Sequence, residues 1–190
     1  MNDLVIIDKE FKNINFLEDI FEKEEYDNCL FLNCNFSNVN LSGIIFSECT
    51  FICCDFSMAK TRNTSFKTST FKECKLLGLH FNECNHFLLA FYFENCILNL
   101  SSFSRLKLKK TIFNNCSLKE VDFSETNLIY SIFDNCNLSG TIFNNSNLEN
   151  VDFRTSNNFS IDPTNNQIKK AKFSLLGSVG LFNKYDIIIE

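Results

Sequence analysis

The sequence predicts an all-β fold in which the chain winds into a four-sided coil. Three observations carry that prediction. A large apolar residue recurs every five positions, a small residue stands two places before it, and the other three places are mostly Asn, Ser, Asp, Thr, Lys and Glu. A helix repeats its apolar residues near 3.6 and a half-buried strand at 2, so a period of five fits neither. It fits a chain that turns a corner every fifth residue, with two side chains in and three out. Four such sides close one coil, and coils stack at the inter-strand spacing of roughly 4.8 Å, so about seven coils make a rod of roughly 30–35 Å.

Residues 1–28 form an N-terminal cap and an irregular first coil. Here Asp3, Asp8, Glu10, Glu18, Asp19, Glu22, Glu24, Glu25 and Asp27 outnumber Lys9, Lys12 and Lys23, and Asp19 and Glu24 fall at inward places. Charge on an open ladder edge discourages further strands from adding to it. Residues 29–84 are the first block of coils. The beat runs from Phe11 through Phe31, Phe36, Leu41, Phe46, Phe51 and Phe56 to Phe81, with Thr61 as its one polar member. Residues 85–92 (NHFLLAFY) shift the frame by two, which predicts a bulge or small loop with Phe87 partly exposed. Residues 93–156 are the second block, where Phe and Leu alternate strictly from Phe93 to Phe153, so that Phe should line two opposite sides and Leu the other two. Residues 157–190 cap the rod. In this tail Leu175, Leu176, Val179, Leu181 and Phe182 make an apolar surface too large for a free segment, which either caps the last coil or pairs two subunits.

Composition excludes several functional classes. The formal net charge of −5 argues against direct binding of nucleic acid or an anionic membrane, both of which need a basic footprint. No apolar run approaches the roughly 18 residues of a membrane span, and MNDLVIIDKE has no signal-peptide pattern, so a soluble cytoplasmic protein is expected. Nine of the ten cysteines (all but Cys53) share the small inward position with Val, Ser, Thr and Ala, as expected of a small buried hydrophobe. His80, Cys84 and His86 could supply zinc ligands, but Cys84 should point in and His80 out. With no paired Cys-x-x-Cys, Ser-His-Asp set or phosphate loop, neither an enzyme nor a bound metal or cofactor is expected.

The units CNLSG (136–140), VDFSE (121–125) and SNLEN (146–150) resemble the consensus of the pentapeptide-repeat family, and the resemblance covers residues 11 to 153. It implies a right-handed quadrilateral β-helix closed by a short C-terminal helix and strand that pair two subunits. The layout is similar to the quinolone-resistance and microcin-immunity branch. That branch implies a non-enzymatic rod that mimics DNA, binds DNA gyrase or topoisomerase IV, and protects it from quinolones or a gyrase-poisoning peptide. The alternative is a scaffold for some other protein. Counting quintets puts Glu73, Glu94, Asp134 and Asp152 on one side as expected partner-binding residues, together with Phe87, although Lys72 and Arg154 join them. DNA carries about one negative charge per 1.7 Å, close to 20 over 30 Å, so this chain is a dilute imitation of it.

Overall fold

The computed structural model describes residues 5–18, 25–185 and 187–188. The inward places at Asp19, Phe21 and Glu24 lie outside the described residues. The chain forms a parallel β-solenoid with four sides. Its strands are β1 (Val5–Ile7), β2 (Glu10–Lys12), β3 (Glu25–Asp27), β4 (Leu30–Leu32), β5 (Ile45–Ser47) and β6 (Thr50–Ile52). They continue as β7 (Ser65–Lys67), β8 (Ser69–Lys72), β9 (Phe91–Glu94), β10 (Ile112–Asn114) and β11 (Ile132–Asp134). One sheet, β1-β3-β5-β7, lies on what we term side four, and the other, β2-β4-β6-β8-β9-β10-β11, runs along side one. Sides two and three are stacked single bridges, such as Asn35↔Asp55 and Ser102↔Asp122.

Register follows the period. Phe31 lies opposite Phe51, and Phe113 opposite Phe133, twenty residues on. Between β8 and β9 the offset becomes twenty-two, with Phe71 opposite Phe93. The two extra residues leave as a small loop on side four. Asn85 still pairs with Ser65, Leu89 then runs antiparallel beside Lys67, and Phe87 and Leu88 are 67% and 63% exposed. The missing inward residue is replaced from next door. Phe91 occupies a place that elsewhere holds a small residue such as Cys49, Ser69 or Thr111, and its ring packs between Phe66 and Phe81 at 5.9 and 5.1 Å.

The core is a set of ring columns. On side one Phe11, Phe31, Phe51, Phe71, Phe93, Phe113, Phe133, Phe153 and Phe173 stack in one line, with centroids 4.8–5.5 Å apart. In the second block Phe103, Phe123 and Phe143 line side three, opposite side one, while Leu98, Leu118 and Leu138 fill side two and Leu108, Leu128 and Leu148 side four. Opposed columns meet edge to face across the core, as Phe113 and Phe123 do at 81°, the geometry that aromatic quadrupoles favour. The stack also outruns the beat seen in the sequence. Asn147↔Gln167 and Asp152↔Lys172 continue the ladder, so 157–173 complete a further coil rather than beginning the cap.

Two backbone devices close the corners. The second residue after most of the large ones takes a left-handed conformation, for example Asn33 (φ 52°), Asn38 (57°) and Asn115 (52°), and Asn is the residue most often found there. Asn tolerates this region better than other non-glycine residues, which is how a chain with five glycines turns so many corners. Where Asn or Asp precedes the large residue, its Oδ1 accepts the N–H two places on, as in Asp55 to Ser57 (2.9 Å) and Asp122 to Ser124 (2.9 Å).

The C-terminal end is closed by two short 3-10 helices, Gly177–Leu181 and Asn183–Tyr185, with no strand after them among the described residues. The Gly180 carbonyl accepts the Ile161 N–H (3.0 Å), and Gly180 lies so close to Phe159 that a Cβ there would run into the Phe159 carbonyl. Among the described residues no helix is long and apolar enough to cross a membrane.

Candidate interaction surfaces

The inward chemistry is structural. Small inward residues donate to a carbonyl of the preceding coil: Thr64 to Leu41 (2.8 Å), Ser131 to Leu108 (2.7 Å), Thr141 to Leu118 (2.7 Å) and Cys49 to Tyr26 (3.3 Å). Cys, Ser and Thr thus recur because they carry a short donor, a reason beyond small volume. The interchange of these three types was the signal available in the sequence. Burial pushes the Cys49 and Cys84 thiols up to about 12, so both stay protonated at neutral pH, whereas metal binding and nucleophilic attack need the thiolate. His80, Cys84 and His86 do not converge: Cys84 is buried, both histidines are exposed, and His86 Nε2 lies 3.3 Å from the Asn82 carbonyl.

Chemistry available to a partner therefore lies on the outer faces. The ladder places Glu73, Glu94, Asp134 and Asp152 all on side one, but most of their charge is already engaged. Lys72 Nζ stands 3.0 Å from Glu94, and Arg154 and Lys172 stand 2.7 and 3.9 Å from Asp152. Arg154 donates to Asp152 and holds its carboxyl below the usual carboxylate range. Asp134 accepts from Thr155 Oγ1 (2.8 Å), and Glu73 from the Cys53 thiol (3.5 Å). Four carboxylates share a side, yet they make no continuous acidic stripe.

Side four carries a stronger pattern that quintet counting passed over. Among the described residues its upper coils present Asp8, Glu25, Asp27 and Glu48, with Lys67 as the one cation, 3.5 Å from Glu25. Below the loop the same side presents Lys107, Lys109, Lys110, Lys169 and Lys170, all exposed, with Glu149 between them. These lysines make no ion pair with another described residue. The loop stands between the two zones, and beside it an open groove is lined by Asp27, Ser47, Glu48, Lys67, Thr68 and Leu88–Ala90.

In the tail, Leu175 and Leu176 are both 89% exposed, and Val179 and Phe182 are exposed as well. Leu181 instead packs against the core of its own chain.

Family models for the pentapeptide repeat match this chain, one as a repeat region over residues 92–159 and 106–177 and one as eight repeat copies over 29–67. The chain belongs to the pentapeptide-repeat family. This pentapeptide-repeat protein is similar to a trypsin-treated form of QnrB1, a plasmid-mediated fluoroquinolone resistance protein, at 22% identity over 98% of this chain and 100% of that one, with a TM-score of 0.49. It is also similar to HetL, a pentapeptide-repeat protein involved in heterocyst differentiation regulation in the cyanobacterium Nostoc sp. strain PCC 7120, at 13% identity over 90% and 87% of the two chains, TM-score 0.47. A third solved relative is Rfr23 from the cyanobacterium Cyanothece 51142, at 11% identity over 90% and 88%, TM-score 0.27. No curated protein sequence matches. At these identities the likeness concerns the fold.

Proposed function

We propose that this chain is a non-enzymatic binding rod that works in the cytoplasm by presenting its outer faces to a protein partner. The observation that carries this reading is the division of labour within each quintet. Inward residues are consumed by ring stacking and by hydrogen bonds to carbonyls, so chemical variety survives only on flat sides built at strand spacing. A rod of this kind has recognition surfaces and no enclosed site for chemistry.

The narrower reading is a DNA mimic that binds DNA gyrase or topoisomerase IV and protects it from quinolones or a gyrase-poisoning peptide, with two subunits joined through the exposed tail leucines Leu175 and Leu176. The acidic upper coils support it, where Asp8, Asp27 and Glu48 make no ion pair with another described residue. Mimicry in this reading belongs to those coils and not to side one, where Glu94 and Asp152 are paired with cations in place. The test is a supercoiling assay with purified protein and gyrase, with and without a fluoroquinolone. Restored supercoiling at low micromolar protein is the expected result, and it should weaken in the Asp27→Lys, Glu48→Lys variant. Inhibition without rescue would leave a competitor for the DNA site. No effect on either topoisomerase would leave the binding rod with a different partner.

A further inference from the structure

Side four is complementary to itself. Its upper coils sum to −3 (Asp8, Glu25, Asp27 and Glu48 against Lys67) and its lower coils to +4 (Lys107, Lys109, Lys110, Lys169 and Lys170 against Glu149). The coil at Ser65–Lys67 lies two coils below Glu25–Asp27 and two above Lys107–Lys110, counting the loop as one. A two-fold axis through that coil and across the rod therefore sets the Glu25–Asp27 coil opposite the Lys107–Lys110 coil of an antiparallel copy. The same axis places the loop of one copy, with Phe87 and Leu88 exposed, against the Ile45–Glu48 coil of the other. An isologous contact needs this arrangement, in which patch i meets patch j and j meets i.

We infer that side four is a self-association surface on which two antiparallel rods meet, each placing its Lys107–Lys110 coil over the acidic groove beside the other's loop. Three features of that groove fit lysine. Asp27 and Glu48 line it, the only cation in it is Lys67, and Lys67 is already committed to Glu25. Leu88 holds the loop in a left-handed turn (φ 56°) that costs a leucine energy, and what the turn achieves is to keep two large apolar side chains outside the rod. Exposed apolar groups between two charged zones reproduce the apolar centre and polar rim of a protein interface.

The contact is narrow. A strip about three residues wide and six coil spacings long covers on the order of 300 Å² per protomer, well under the roughly 800 Å² of a stable interface. The association is accordingly weak and fast, and it depends on ion pairs that salt screens with a Debye length of about 10 Å at 0.1 M.

Sedimentation of the full chain over a concentration series, at 50 and at 500 mM NaCl, measures it. The expected result is a dimer at low salt whose dissociation constant rises about tenfold or more at high salt. Two charge-reversed variants separate this surface from any pairing through the tail. Lys109→Glu, Lys110→Glu takes the lower coils of side four from +4 to 0, and Asp27→Lys, Glu48→Lys takes the upper coils from −3 to +1. Each alone should lose low-salt association, and an equimolar mixture should regain it as a heterodimer. The same number of reversals on side three, Lys60→Glu and Arg62→Glu, should change nothing. A chain monomeric at both salts would overturn the inference. So would a dimer that both side-four variants retain, or a mixture that stays apart.

Discussion

The two blocks of coils use one period to build different walls. In the first, sides four and one are both strand, and Tyr26, Phe46 and Phe66 stand beside the side-one stack at 5.3–5.9 Å from their Phe neighbours. In the second, only side one keeps strands, and side four is filled by Leu108, Leu128 and Leu148 behind Lys107, Asn127 and Asn147. The inward residue does not by itself decide between strand and turn. Phe133 and Phe153 stack on each other in one column, yet Ile132–Asp134 is a strand while Asp152 opens a turn by accepting Arg154 N–H at 3.1 Å. A β-branched residue before the ring suits the pleated ladder, and an Asp or Asn there bonds its own backbone instead. The outer neighbour sets the wall, and the wall sets which charges can gather: acidic beside the first block, basic beside the second.

Aromatic content is where the blocks differ most in stability. Phe51 meets six rings, Phe31, Phe36, Phe46, Phe56, Phe66 and Phe71. Phe123 meets four, Phe103, Phe113, Phe133 and Phe143. Both are fully buried. Truncation of either to Ala should cost about 3–5 kcal/mol through the cavity it leaves. Replacement by Leu sharpens the contrast. Since favourable ring pairs add about 0.5–1.5 kcal/mol each in double-mutant cycles, Phe51→Leu should destabilise more than Phe123→Leu. Urea unfolding followed by circular dichroism reads both, and equal midpoints for the two Leu variants would break the comparison.

The next effect belongs to the corners, which both blocks share. Asn115 sits at φ 52° and accepts from the Asn135 side chain at 2.7 Å. Asn115→Val should cost about 1–2 kcal/mol, the penalty of a side chain in the left-handed region. Asn115→Gly relieves the backbone while losing that hydrogen bond, and it should stay within about 0.5 kcal/mol of the parent. If Val were as well tolerated as Gly in the same melts, the corner would owe nothing to residue type.

The period of five made the four sides legible, together with the opposed Phe and Leu columns and the frame shift near Asn85. Those features depend only on which residues are inside. Less was readable where function depends on what the outer residues do to one another. Counting grouped Glu73, Glu94, Asp134 and Asp152 on side one together with Lys72 and Arg154, but it could not show which pairs form or that Lys172 also comes within 3.9 Å of Asp152. The acidic and basic zones of side four were equally countable. They were missed because the lysines at 107–110 and 169–170 are some sixty residues apart in sequence yet only three coils apart in space. The last coil, ending at Phe173, was hidden because Asn158 and Pro163 stand where the beat calls for large apolar residues, and only the backbone ladder reveals it. The Cys, Ser and Thr donors escaped because a periodic small residue reads as volume until its partner carbonyl is seen.

The smallest effect is a matter of pH, and it tests whether the turn at Asp152 depends on charge. Arg154 donates to Asp152, and the carboxyl's pKa is lowered in the folded state relative to the unfolded chain. A group of this kind stabilises the fold above its unfolded pKa, near 3.9, and the contribution fades as pH falls through the folded value. Asp152→Asn keeps an oxygen that can accept Arg154 N–H but removes the titration. Relative to the parent, the variant should be slightly less stable at pH 7, and the gap should close between about pH 4 and pH 2. The Ile132 strand next to it should be unaffected, because no titrating group replaces Ile132 in that ladder. Parallel acid-unfolding curves, offset equally at every pH, would show that Asp152 works through its turn geometry alone. In that case the contrast between the Phe133 and Phe153 coils would rest on hydrogen-bonding shape, with charge playing no part.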